Sequence, residues 1–186
     1  FHIVFLFYIF ILIIMIIHNL IENLRKPIEP KKINLIIDGG AFKGGYIHGA
    51  LLYLKELERQ RFITIEKISG TSIGAIFGVM YLTDKLEEFD RLYHIIRLRF
   101  NSSLKLNTFY KMFENDIVNN TKDICNILTN KLYINYFDIE KKNEVVVSVY
   151  KSEKDILKYI QNTSYIPIFT DGKLCYNNSI DGIVPY

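Results

Sequence analysis

A β-rich run, Ile63 to Ile68, leads straight into Ser69-Gly70-Thr71-Ser72-Ile73-Gly74, and an apolar helical stretch, Ala75 to Leu82, follows with no spacer. So tight a turn between strand and helix suits few architectures. The same order occurs earlier in the chain. Ile33-Asn34-Leu35-Ile36-Ile37 stops at Asp38-Gly39-Gly40, and Tyr46 to Arg59 then carries Ile47, Leu51, Leu54 and Leu57 at helical spacing, with Lys and Glu opposite. Two strand, glycine turn, helix units in succession predict an α/β fold, a mainly parallel central sheet flanked by helices on both faces. Further on, Leu86 to Arg99 reads as a helix and Asn101 to Asn130 as mixed helices and loops. Glu144 to Tyr150 reads as a strand and Asp155 to Ile160 as a short helix. A chain of 186 residues has room for one such domain.

Gly70-Thr71-Ser72-Ile73-Gly74 is a G-x-S-x-G. Glycines two residues either side of a serine let the backbone turn sharply and lift the hydroxyl into the open. The helix that follows points unpaired N–H groups to where negative charge would develop. An ordinary Gly/Ser turn has the same composition, but the strand before and the apolar helix after favour a nucleophile at Ser72. The loop Asp38-Gly39-Gly40-Ala41-Phe42-Lys43-Gly44-Gly45 likewise offers consecutive backbone N–H groups to an anion. A P-loop requires Gly-Lys-[Ser/Thr], whereas Lys43 precedes Gly44, and the glycines do not give G-x-G-x-x-G. An oxyanion hole, which needs only N–H donors close to a nucleophile, fits the loop.

The histidines are His2, His18, His48 and His94, and only His94 follows Ser72. An α/β-hydrolase triad would run Ser, acid, His, and no acid-then-His pair occurs late in the chain. His48 and His94 fall in helical stretches, where structural or solvent-facing roles are expected. A serine nucleophile here would therefore use a carboxylate as its base. Two late Asp-Gly pairs compete, Asp171-Gly172 and Asp181-Gly182. Asp171-Gly172-Lys173 lies between Ile166-Pro167-Ile168-Phe169 and Leu174-Cys175-Tyr176, and reads as a hairpin turn.

A strand, a glycine-rich loop with a basic residue, a G-x-S-x-G turn and a late Asp-Gly, in that order, resemble the patatin-like phospholipase family from about Ile33 to the last residue. The resemblance implies a Ser-Asp dyad, with Ser72 as nucleophile and Asp181, in Ser179-Ile180-Asp181-Gly182-Ile183-Val184-Pro185, as base. Asp171 is left as the turn residue. It also implies an oxyanion hole from the backbone N–H groups of Gly39, Gly40, Ala41, Phe42, Lys43 and Gly44, joined by Ile73. Lys43 would serve as positioning or surface charge. The implied substrate is a phospholipid or other acyl lipid, cleaved without metal or organic cofactor. Ala41 stands where the family has a third glycine, and Ile183 where it often has a small residue. An alanine suits the loop if its φ is negative. Ala41, together with a chain end five residues past Asp181 at Tyr186, defines the alternative of a membrane module that keeps the fold without turnover. A nucleotide-binding α/β protein built on the Gly39 loop is a further alternative.

Phe1 to Ile17 is apolar throughout except for His2. Continued through Ile21, the run is about 21 residues, roughly 30 Å as a helix, which matches a bilayer core. It lacks the basic start, short apolar core and small-residue cleavage site of a signal peptide. The expected organisation is a transmembrane anchor over 1–21, a linker over 22–32 carrying Pro27 and Pro30, and the catalytic domain over 33–186. Arg25, Lys26, Lys31 and Lys32 follow the run, which predicts a domain on the cytoplasmic side. The net charge of +3 is spread along the chain, and the absence of a basic block argues against a nucleic-acid partner. Cys125 and Cys175 form no CxxC pair and no zinc-spaced cluster, and are expected to be free thiols.

Overall fold

Lys31–Ile37 (β1) and Ile63–Thr71 (β2) lie side by side in parallel, from Lys31↔Ile63 to Ile37↔Gly70, with Gly44–Arg59 (α2) as the crossover between them. The computed structural model describes residues 2–40, 44–103 and 105–182, with backbone alone for 2–11. Leu132–Asp138 (β3) extends the sheet in parallel to β2, pairing Ile68↔Leu132 through Thr71↔Asn135. Asn143–Val147 (β4) and the short Ser179–Asp181 (β5) both pair with β3 in the antiparallel sense. The sheet is therefore mixed rather than mainly parallel. A connection as short as residues 139–142 can join β3 to β4 only as a hairpin, whereas a parallel neighbour requires a long crossover.

Ile73–Leu82 (α3) is the central helix. It is apolar on every side because the sheet, α2 and later helices surround it; Ala75, Phe77, Val79 and Met80 have no accessible surface. Glu88–Ser103 (α4), Asn107–Phe113 (α5), a π-helical turn Glu114–Val118 and Ile124–Leu128 (α6) follow. Glu153–Thr163 (α7) is capped by Ser152, whose hydroxyl accepts the Asp155 N–H at 3.2 Å. Ile37, Ile65, Ile68, Leu132 and Ile134 share one core with Phe77, Phe113, Ile156 and Ile160.

The alternate strand positions Lys32, Asn34, Ile36, Thr64 and Glu66 are exposed. Among the described residues this part of the sheet is thus covered on one face, not on both. The strand order β1-β2-β3 advances without reversal. Right-handed crossovers then lay their helices on a single side, and a doubly covered sheet needs a change of direction.

The N-terminal run forms His2–Glu22 (α1). Among the described residues no helix is long and apolar enough to cross a membrane; half of the expected span over 1–21 falls on residues 1–11, whose side chains lie outside the description. The end of α1 is not a free tether. Ile17 and Ile21 are buried against Leu57, with Phe62 and Ile63 packed beside them, so that α1 is docked on the domain before the non-helical segment holding Pro27 and Pro30. Cys125 and Cys175 are both free thiols.

Candidate active site

Ser72 sits between the last residue of β2 and the first of α3, with φ 55° and ψ −125°. A non-glycine residue is forced there only where the chain must reverse within one residue, as it does in a nucleophile turn. The glycines on either side meet a space requirement. A Cβ on Gly70 would stand 2.6 Å from the Ala75 backbone. A Cβ on Gly74 would stand 2.1 Å from the Ile37 carbonyl oxygen and 2.8 Å from that of Asp38. The second contact presses the end of β1, where the glycine loop begins, against the start of α3, so loop and serine become neighbours.

Of the expected oxyanion donors, Ala41, Phe42 and Lys43 lie outside the described residues. The Gly39 N–H is turned aside, donating to the Asp38 carboxylate at 2.8 Å. Ile73 and Gly44 open α3 and α2 respectively, where helix geometry provides no acceptor within the helix for the first N–H groups. The Ser72 N–H is engaged elsewhere. It donates to Thr163 Oγ1 at 2.8 Å, and the Thr163 hydroxyl donates to the Asn135 carbonyl at 2.6 Å.

The two residues of the expected dyad, 109 positions apart in sequence, stand at strand ends that β3 brings to one edge. Asn135 pairs with Val146 of β4 and with Thr71 of β2, so β2 and β4 occupy opposite edges of β3. Tyr136 pairs with Val145 of β4 and with Asp181 of β5, so β5 lies on the same edge as β2. The C-terminal ends of β2 and β5 therefore abut at consecutive positions of one strand edge. Gly182 lies close to both, its Cβ position being 2.9 Å from the Asn135 carbonyl oxygen and from Thr71 Cγ2. Ser72 and Asp181 are each 5% exposed.

A cavity of about 90 Å³ opens beside Ser72. Its walls are Ile73, Ile76 and Met80 of α3, Phe89, Leu92, Tyr93 and Ile96 of α4, and Leu106, Phe109 and Tyr110 at α5, with Ser164 and Ile166. Burial pushes the Tyr110 hydroxyl up to about 12, and the negative charge of Asp181 adds to the shift. Tyr110 thus stays protonated and donates to the Ser164 carbonyl at 3.2 Å.

Asp171 occupies the expected turn, closed by Ile168 N–H to Lys173 O at 2.7 Å, although no strands flank it. Its carboxylate accepts the Tyr165 hydroxyl at 2.5 Å and the Lys173 N–H at 3.0 Å. The Tyr165 hydrogen bond holds its carboxyl below the ordinary range. His94 is exposed, and His48 is buried with Nε2 2.9 Å from the Leu86 carbonyl, both as expected of structural and solvent-facing residues.

The cavity walls carry no motif. Phe89, Leu92, Tyr93 and Ile96 do follow an i, i+3, i+4, i+7 pattern, which marks an apolar helix face without saying that it lines a cavity. Thr163 and Asn135 give no sequence signal at all.

A family model described as patatin-like phospholipase matches residues 35–183. An omega-hydroxyceramide transacylase from Mus musculus is 22% identical over 152 residues, which cover 77% of this chain and 25% of that protein. The chain thus spans about a quarter of the length of that curated relative.

Proposed function

The chain belongs to the patatin-like phospholipase family, and on that premise we propose that it is a lipid acyl hydrolase working through a Ser72-Asp181 dyad at a membrane surface. Asp181 accepts the Ser72 hydroxyl proton as Oγ attacks the ester carbonyl carbon. The oxyanion is met by the N–H of Ile73 and by those of the glycine loop other than Gly39, whose N–H is held by Asp38. Collapse of the tetrahedral intermediate breaks the ester C–O bond, and the proton on Asp181 leaves with the alcohol. Water then loses a proton to Asp181 and attacks the acyl-enzyme; as the acyl–Oγ bond breaks, that proton passes to Oγ, and the fatty acid and free Ser72 are released. The observation that carries this reading is the abutment of β2 and β5 on one edge of β3, beside an apolar cavity suited to an acyl chain.

The direct test is reaction of the folded protein with a fluorophosphonate, followed by peptide mapping. Modification at Ser72 is expected, and an unmodified Ser72 in folded protein would overturn the proposal. The transacylase among its relatives gives a second reading, in which an alcohol takes the acyl group instead of water. Product analysis with a labelled acyl ester separates them, since hydrolysis yields free acid and transfer yields a new ester.

The cavity wall sets the expected chain-length preference. Leu92 is 1% exposed and lines the cavity. Leu92→Trp fills space that an acyl chain would enter, and is expected to lower kcat/KM for long-chain esters at least about tenfold more than for acetyl or butyryl esters, one or two lost methylene contacts being worth that much. An equal loss on all chain lengths would remove the acyl chain from this cavity.

Membrane association is assigned to the outer face of α1. Leu12, Ile14, Met15, Ile16 and Leu20 are exposed there, and Arg25 and Lys26 follow at its end. Apolar side chains beside basic ones suit an anionic lipid surface, with the domain on the cytoplasmic side. Insertion of this face into lipid is tested by combining Ile16→Glu with Leu20→Glu. Sedimentation with vesicles containing phosphatidylserine is expected to fall, and unchanged sedimentation would refute the assignment.

A further inference from the structure

Ser72 can keep its backbone at φ 55°, ψ −125° only if the peptide groups on both sides of it are fixed. On the carbonyl side, the N–H groups of Ala75 and Ile76 donate to the Ser72 oxygen at 3.1 and 3.4 Å, so the first turn of α3 grips it. On the amide side nothing from the local chain does the same. The acceptor there comes from 91 residues away, the hydroxyl of Thr163 in the last turn of α7.

The direction of each hydrogen bond follows from chemistry. The Asn135 backbone oxygen can only accept, so the Thr163 hydroxyl proton points to it, at 2.6 Å. A lone pair of the same hydroxyl oxygen is left facing the Ser72 N–H, which can only donate. Thr163 has no accessible surface, so water cannot replace it. Asn135 is also the β3 residue paired with Thr71, and its neighbour Tyr136 pairs with Asp181. One hydroxyl thereby links the amide of the serine to β3, the strand with which the Asp181 strand, β5, is paired.

We propose that Thr163 is a positioning residue for the reaction, orienting Ser72 toward Asp181 by accepting the serine N–H while anchored on β3. The inference rests on Ser72 being the nucleophile. It also removes the Ser72 N–H from the set of oxyanion donors and leaves that task to Ile73 and the loop N–H groups other than that of Gly39.

Thr163→Val retains the shape and loses the acceptor, whereas Thr163→Ser keeps the hydroxyl. In the valine variant kcat and the rate of fluorophosphonate reaction are expected to fall about 10- to 100-fold, as for a nucleophile displaced by a fraction of an ångström, with KM within about twofold. The serine variant is expected to recover to within about threefold, because the net hydrogen bond is regained. If the valine variant does not fold, Thr163→Ala takes its place, since a smaller side chain cannot clash. A second readout is independent of activity: hydrogen exchange at the Ser72 amide should be slow in wild type and Thr163→Ser and faster in Thr163→Val. Equal exchange in all three, or a folded valine variant with wild-type kcat, would overturn the proposal. Wild-type protein with a protected Ser72 amide but no fluorophosphonate reaction would instead overturn the catalytic reading together with the positioning role.

Discussion

Asp181→Asn is expected to lower kcat on a lipid ester by about 10²- to 10⁴-fold, the usual contribution of a general base, and Ser72→Ala to lower it by more than about 10⁴-fold. The amide introduced by the first change cannot accept the serine proton at neutral pH, although it has nearly the shape of the carboxyl group. With the nucleophile gone, the base has nothing to activate. The double variant should therefore be no slower than Ser72→Ala alone, since the two groups act on one proton. Asp171→Asn is the comparison that decides between the two Asp-Gly pairs. Its carboxylate is occupied by the Tyr165 hydroxyl and the Lys173 N–H at a surface turn, and its loss should leave kcat within about threefold. Steady-state kinetics on the four purified variants, with circular dichroism to verify folding, would reverse the assignment if Asp171→Asn rather than Asp181→Asn were the slow one.

The largest expected effect on stability belongs to Gly74→Ala. The new methyl would stand 2.1 Å from the Ile37 carbonyl oxygen and 2.7 Å from its carbon. Both are backbone atoms of a sheet strand, so no rotamer change relieves the overlap. Either β1 moves away from α3 or the helix starts elsewhere, and a loss above about 4 kcal/mol is expected. Gly49→Ala is the matched control. It lies inside α2 with nothing within 4 Å of its Cβ position, and should gain about 0.4–1 kcal/mol by restricting the unfolded chain. Urea unfolding of both variants measures the contrast, and a Gly74→Ala protein as stable as wild type would contradict the close approach of loop and helix.

The parts of the fold that are local in sequence are legible there. β1 with its glycine loop and α2, and β2 with its turn and α3, each announce themselves within a short stretch through apolar periodicity and glycine. β3 does not, although it is the strand on which the site is assembled. Its segment Leu132-Tyr133-Ile134-Asn135-Tyr136-Phe137-Asp138 alternates buried and half-buried residues, but the half-buried set mixes aromatic and polar side chains, and the alternation is easily lost in a polar region. The sense of β4 and β5 escapes a sequence reading because strand pairing is set by distant partners. Ser72 is legible for the same reason as β2, being framed by its own neighbours. Thr163 is not, because its importance comes from meeting an amide 91 residues away. The apolar N-terminal run reads as a tether alone; Ile17 and Ile21 also serve the domain by packing on Leu57.

The helix that begins immediately after Ser72 also supplies Ile73, Ile76 and Met80 to the cavity wall. At 1.5 Å per residue, Ile76 and Met80 stand about 6 and 12 Å along the axis from the serine. If Ser72 is the nucleophile, as proposed, α3 is a ruler whose zero mark is the reacting oxygen. Because α3 is buried on every side, ruler and Ser72 shift together or not at all. On the proposed mechanism a substrate would be gauged by how many carbons lie beyond its carbonyl, and a change at one graduation would alter the length accepted without moving the origin.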